Sequence, residues 1–186
     1  MRVVTALERL LGPPSSRSRF EASGFQADLR WGYRVAWPGL EVSYNENFPR
    51  PAAAGHRAGR DSYSLPLRPD IVLRSAGGRL TLFDAKLKRN FKGVVVDRPG
   101  SGEDTFKPED LHKMHAYRDA LGAHSVWVLY PGETAKLQGY PAPGGTEGQP
   151  GAHFAGVGAV ALRPGVAGDG ELESLLAALV GADGQS

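Results

Sequence analysis

The 186-residue sequence contains no cysteine, which excludes a disulfide framework and any thiolate zinc site and leaves a reducing compartment open. It also lacks an apolar run near the roughly 18 residues that a membrane span needs. The opening MRVVTALERLLGPP has only a short apolar stretch, broken by Glu8 and Arg9. A soluble protein without membrane association, in the cytoplasm, is the expectation. No internal repeat is visible, and a net charge of only +2 names no partner by itself. The glycine-rich runs PGSGED and APGGTEGQPG lack both the GxxxxGK[ST] order and the strand-to-helix setting of a P-loop, so they read as loops.

What is present is an ordinary globular balance, 41% hydrophobic and 23% charged, combined with 25 glycines and 14 prolines that imply long connections. The length suits one domain with a substantial core, spanning residues 1–186, and is short for two. Local charge says more than net charge. From Lys86 to Arg98 the chain carries Lys86, Lys88, Arg89, Lys92 and Arg98 against the single acid Asp97, a segment on which a polyanion can dock.

Apolar spacing predicts a helix over Val3 to Leu11, stopped by Gly12-Pro13-Pro14. Leu40 to Tyr44 alternates as a strand, and PRPAAAGHRAGRD after it reads as a mobile linker. YSLPLRPDIVLRS and RLTLFDAKLKR, joined by Ala-Gly-Gly, predict an antiparallel hairpin. A helix follows over Pro108 to Leu121, with Leu111, Met114, Tyr117, Arg118 and Leu121 along one side. SVWVLYPG suits a strand buried on both faces. ETAKLQGYPAPGGTEGQPGAH reads as loop, AGVGAVALRPG as a strand and GELESLLAALVG as a final amphipathic helix. The order implies a mixed sheet flanked by helices, in the α/β or α+β class.

Strand alternation puts Asp84 and Lys86 on one face, with Leu80 and Leu82 ahead of them. The short hairpin allows Asp70 to lie beside Asp84. Adjacent carboxylates repel unless a cation lies between them. Two acid oxygens completed by water and phosphate oxygens form the usual ligand set of magnesium. Such an ion activates water and stabilises phosphoryl charge, and a lysine two residues on can assist. The plainer reading is a turn cap at Asp70 and a solvated Asp84–Lys86 ion pair. The apolar face ahead of Asp84 favours the first, since a core giving way to a cleft looks like this.

These residues resemble the PD-(D/E)xK nuclease superfamily, whose pattern is matched by Glu8, Pro69-Asp70, Asp84-Ala85-Lys86, the helix from Pro108 to Leu121, and Ser125 to Tyr130. DAKLKR, DLHKMHAYRDAL and the strand ending VLYPG resemble a bacterial branch related to the nuclease subunit of McrBC restriction systems. The resemblance implies a restriction-endonuclease-like fold with core order α-β-β-β-α-β. It implies magnesium, replaceable by manganese, on Asp70, Asp84 and the Ala85 carbonyl, with Lys86 assisting the attacking water. It also makes Glu8 a candidate catalytic acid. Lys113 departs from McrC-like sequences, which tend to have glutamine there, while KMHAY fits the narrower branch, and Lys113 and Tyr117 are four apart on one helical flank and can both face the cleft. Lys113 is therefore a candidate catalytic group, and Tyr117, Lys88, Arg89 and Lys92 are candidate substrate contacts. His112 and His115 read as surface histidines. The implied activity is a metal-dependent endonuclease, on DNA rather than RNA, in restriction or antiviral defence. An NTPase partner subunit and a homodimer are the implied assemblies. The rival reading is a non-catalytic nucleic-acid-binding module that keeps the fold.

Overall fold

The computed structural model describes residues 2–22, 30–50, 58–86, 108–132, 136–142, 154–163, 165 and 170–181. The elements run α1 (Arg2–Leu11), β1 (Ser16–Ala22), β2 (Arg30–Trp37), β3 (Leu40–Tyr44), β4 (Ile71–Ser75), β5 (Leu80–Ala85), α2 (Pro108–Leu121), β6 (Ser125–Pro131), β7 (Lys136–Pro141), β8 (Gly156–Leu162) and α3 (Gly170–Gly181). All these strands share one sheet in the order β1-β2-β3-β4-β5-β6-β8-β7. Strands β1 to β5 form an antiparallel meander. β5, β6 and β8 are parallel, and β7 returns antiparallel along β8. The switch follows from the connections, because the segment between β5 and β6 contains α2 and a helical crossover returns the chain in the same direction. The mixed helix-flanked sheet expected from the sequence is the observed architecture. No described helix is long and apolar enough to cross a membrane.

Strand alternation divides the core into two layers. On one face, Val3, Val4 and Leu7 of α1 and Leu172, Leu175 and Leu176 of α3 pack with Val42, Leu73, Phe83 and Trp127. On the other, Met114, Tyr117 and Leu121 of α2 pack with Val72, Leu80, Leu82, Val126 and Val128. β6 is buried on both faces, as its unbroken apolar run predicts. Gly158 allows the layers to close, since a Cβ there would lie 2.2 Å from Trp127 Cζ3. The helix ends have local causes. Gly12, at φ 80°, follows α1 and donates to the Glu8 carbonyl at 2.9 Å. Gly122, at φ 63°, follows α2, and Ala123 N–H reaches the Arg118 carbonyl at 3.0 Å, closing a Schellman turn.

The structure departs from the sequence expectations at several places. β1 and β2 were not anticipated: Ser16-Arg17-Ser18-Arg19 is an exposed edge with no apolar alternation, and only Leu40 to Tyr44 was read as a strand in this part of the chain. β7 lies inside a stretch that reads as loop, where pairing with β8 overrides a glycine- and proline-bearing sequence. The first hairpin strand is shorter than expected: β4 starts at Ile71, and Leu67 makes only an isolated bridge to Phe48. Pro66 and Pro69 have no N–H for a ladder. Residues 51–57 of the expected linker lie outside the described residues, but its end is held in place. Gly59 N–H donates to the Leu121 carbonyl at 2.8 Å, and Asp61 is buried.

Candidate active site

The start of β4 and the end of β5 meet at one end of the sheet. Their register pairs Ile71 with Phe83, so the next step along the ladder sets Asp70 across from Asp84. Asp70 is fixed twice. Its carbonyl accepts from Asn45 N–H at 3.0 Å, and its Oδ2 accepts from Ala85 N–H at 2.8 Å. Asn45 leaves β3 at φ 56°, a left-handed turn that asparagine tolerates better than most residues.

Asp84 follows Leu82 on the α2 side of β5 and is only 1% exposed. A lone buried carboxylate is costly, and this one is compensated by two ammonium groups. Lys113 Nζ of α2 lies 2.8 Å from Oδ1, and Lys86 Nζ pairs with Oδ2. Lys86 N–H donates to the Leu129 carbonyl at 2.8 Å, which prolongs the β5–β6 ladder past Asp84 and fixes the backbone carrying Lys86. Met114, Tyr117 and Leu121 anchor α2 on the sheet and so set Lys113 over the carboxylate. Lys113 Nζ is also 4.9 Å from the centre of the Tyr117 ring, and Tyr117 O–H donates to the Arg68 carbonyl at 3.3 Å.

Burial alone would lower the Lys113 pKa, but its hydrogen bonds to Asp84 and Tyr117 outweigh that and raise it above the ordinary lysine value. Burial raises the Tyr117 phenol, Lys113 opposes the rise, and the charges of Asp84 and Asp70 add to it. At neutral pH, Lys113 is a cation and Tyr117 a neutral hydroxyl that can donate but not act as a base.

The donors fit a hard divalent ion. They are carboxylate and carbonyl oxygens, with no histidine or thiolate among them. A strand residue points its carbonyl to the same side as its N–H, so the Ala85 carbonyl faces the β4 edge where its N–H meets Asp70. Among the described residues no group of three or more acidic or imidazole side chains gathers as a protein cage. The ammonium groups of Lys86 and Lys113 occupy the electrostatic place of a cation.

Asp70, Asp84, Ala85, Lys86, Lys113 and Tyr117 are therefore brought together, but Glu8 is not. It pairs with Arg17 of β1, on the helix that covers the opposite face of the sheet. The Trp37 indole donates to the Gly12 carbonyl at 2.9 Å and draws the end of α1 toward the β2–β3 turn, away from Asp70. The apolar positions Val3, Val4 and Leu7 decide that placement. Lys88, Arg89 and Lys92 lie outside the described residues. His112 and His115 are exposed on α2. Asn45 and Arg68, which hold Asp70 and Tyr117 through backbone groups, escape sequence reasoning because backbone contacts leave no residue-type signature.

A family model described as the PD-(D/E)XK nuclease superfamily matches residues 33–135, more than half of the chain and a span that includes all the residues gathered here. No curated protein matches.

Proposed function

Because the chain belongs to the PD-(D/E)XK nuclease superfamily, we propose that it is a divalent-metal-dependent nuclease that hydrolyses phosphodiester bonds at a site built on Asp70 and Asp84, acting as a DNA endonuclease. One observation supports this above others: a carboxylate 1% exposed, with a second acid across the ladder and two lysines on its oxygens. A buried charge cluster of this kind at a strand end contributes little net stability for its desolvation cost, and such clusters collect at functional sites.

Asp70, Asp84 and the Ala85 carbonyl would hold magnesium or manganese. When bound, the ion supplies Lewis-acid charge at the phosphoryl oxygen and lowers the pKa of water. The chain's own residues do the rest. Ala85 N–H keeps the Asp70 carboxylate turned toward β5. Lys86, beside Asp84 on the same strand face, orients the attacking water and offsets charge that develops on the phosphoryl group. The Lys113 ammonium presents a donor from α2, and Tyr117, whose O–H holds the Arg68 carbonyl, offers its ring beside that ammonium as a substrate contact. Lys88, Arg89 and Lys92, following β5 in sequence, hold the flanking phosphates without reading bases.

Restriction or antiviral defence, with an NTPase partner and a homodimer that makes a double-strand cut, extends the same reading to biology. The discriminating experiment incubates the protein with plasmid, single-stranded DNA and RNA in magnesium, in manganese and in chelator. Metal-dependent nicking or linearisation of plasmid supports the proposal. Metal-independent binding without cleavage of any substrate would favour the nucleic-acid-binding module instead.

A further inference from the structure

Among the described residues, the charged side chains gathered at the site sum to zero, Asp70 and Asp84 against Lys86 and Lys113. Asp84 Oδ1 accepts a hydrogen bond from Lys113, whereas Oδ2 is ion-paired with Lys86 and has no hydrogen-bond partner among the described residues. A divalent ion that takes Asp84 Oδ1 as a ligand therefore competes there with the Lys113 ammonium group. The two lysines differ in how readily they can leave. Lys86 is on the same strand face as Asp84, two residues on, and its side chain is 24% exposed. Lys113 reaches across from α2 on a four-carbon stem, is 43% exposed, and has the Tyr117 ring 4.9 Å away as a second seat.

We propose that Lys113 competes with the divalent ion for Asp84 Oδ1, keeps the metal-free site neutral, and leaves the carboxylate when the ion binds. This rests on the metal-dependent reading above and deepens it into a form of regulation. An ammonium group and a divalent cation repel strongly at this range in a partly desolvated pocket. Once displaced, Lys113 stays at the rim beside Tyr117, and the loaded site carries excess positive charge. A phosphodiester with its neighbouring phosphates cancels that excess. Metal and nucleic acid should therefore tighten one another's binding, since such coupling is reciprocal. Without substrate, Lys113 disfavours a loaded and reactive centre.

The test is calorimetric titration with manganese chloride, without nucleic acid, of the wild type, Lys113→Gln and Lys113→Met. Glutamine keeps an N–H donor and removes the charge, whereas methionine removes both at similar length. Two variants keep the test decisive if one folds poorly, which thermal melting will reveal. Both should bind manganese about tenfold more tightly than wild type, the scale of one charged hydrogen bond at a partly exposed site. Metal-free, both should melt below wild type, and manganese should raise their melting temperatures by more. Tight binding by the wild type with equal or weaker binding by folded variants would overturn the competition alone. Absence of binding in all three at millimolar manganese would overturn the metal-dependent reading and the competition with it.

Discussion

The two faces of the central sheet are built from the same strands and end differently. Beneath α1 and α3, fully buried Leu7, Leu172, Leu175 and Leu176 meet Phe83 and Trp127 in continuous hydrocarbon. Beneath α2, β5 begins the same way with Leu80 and Leu82 and then places Asp84 at the next inward position. The first face contributes stability through area removed from water. The second gives up part of that gain, because a desolvated carboxylate must be matched by lysines whose pairing roughly offsets the cost of burial. Apolar burial thus runs unbroken on one side of the sheet and meets a charge cluster, the proposed site, on the other, and substitutions should separate the two.

The largest effect is expected on the charged side. Asp70→Ala and Asp84→Ala should each lower cleavage by at least about a thousandfold, the scale of several kcal/mol of lost metal-centred stabilisation, while circular dichroism stays native. Their melting behaviour refines the picture. Repulsion between neighbouring acids suggests from sequence that removing one would raise stability. The structure reverses that for Asp84, whose loss would leave the Lys86 and Lys113 ammonium groups without their shared counterion. A melting temperature below wild type is expected for metal-free Asp84→Ala.

Next comes Lys86→Ala, which should keep manganese binding by calorimetry and raise the cleavage barrier by about 3 to 5 kcal/mol. Loss of metal affinity instead would make this lysine structural. On the apolar side, Leu175→Ala should cost about 2 to 5 kcal/mol of folding stability in denaturant titration, through lost burial and a residual cavity. Its cleavage rate per folded molecule should match wild type. A selective loss of turnover would show that the two faces are not independent.

How far the sequence could be read follows the same division. Asp70, Asp84, Lys86 and the hairpin that aligns them were legible because alternation and a short turn fix faces and neighbours over a few residues. α1, α2, α3 and β6 were legible because their apolar spacing is strong. β1 and β7 were hidden because an edge strand gains its structure from a partner distant in sequence, not from its own pattern. Lys113 could be placed on the right helical flank, yet its bond to Asp84 depends on how α2 lies across β5. Glu8 shows the converse error. An acid at the expected position on a helix carries no information about which end of the sheet that helix reaches, and Trp37 and Arg17 hold it away from Asp70.

Smaller effects concern pH and the outlying acid. Lys113 and Tyr117 bind their protons more tightly folded than unfolded, so the stability they contribute is fully present below their ordinary values of 10.5 and 10.0. It is lost as pH rises through the higher folded values. Wild type should therefore lose stability more steeply than Lys113→Met above about pH 10, and in parallel with it from pH 6 to 9. Glu8→Gln should leave cleavage unchanged and shift melting only slightly, because it removes a solvent-screened pair far from the acids. A marked drop in cleavage would return Glu8 to the site.

The most direct measurement compares wild type with Asp84→Asn on supercoiled plasmid in magnesium, with both proteins first shown to be folded. Asparagine keeps the shape of the buried side chain and removes the charge that a divalent ion and both lysines require. The account predicts that wild type converts the plasmid to nicked or linear forms, stops in chelator, and that Asp84→Asn leaves it supercoiled. Cleavage by Asp84→Asn at the wild-type rate, or a wild type inert in both magnesium and manganese, would contradict it.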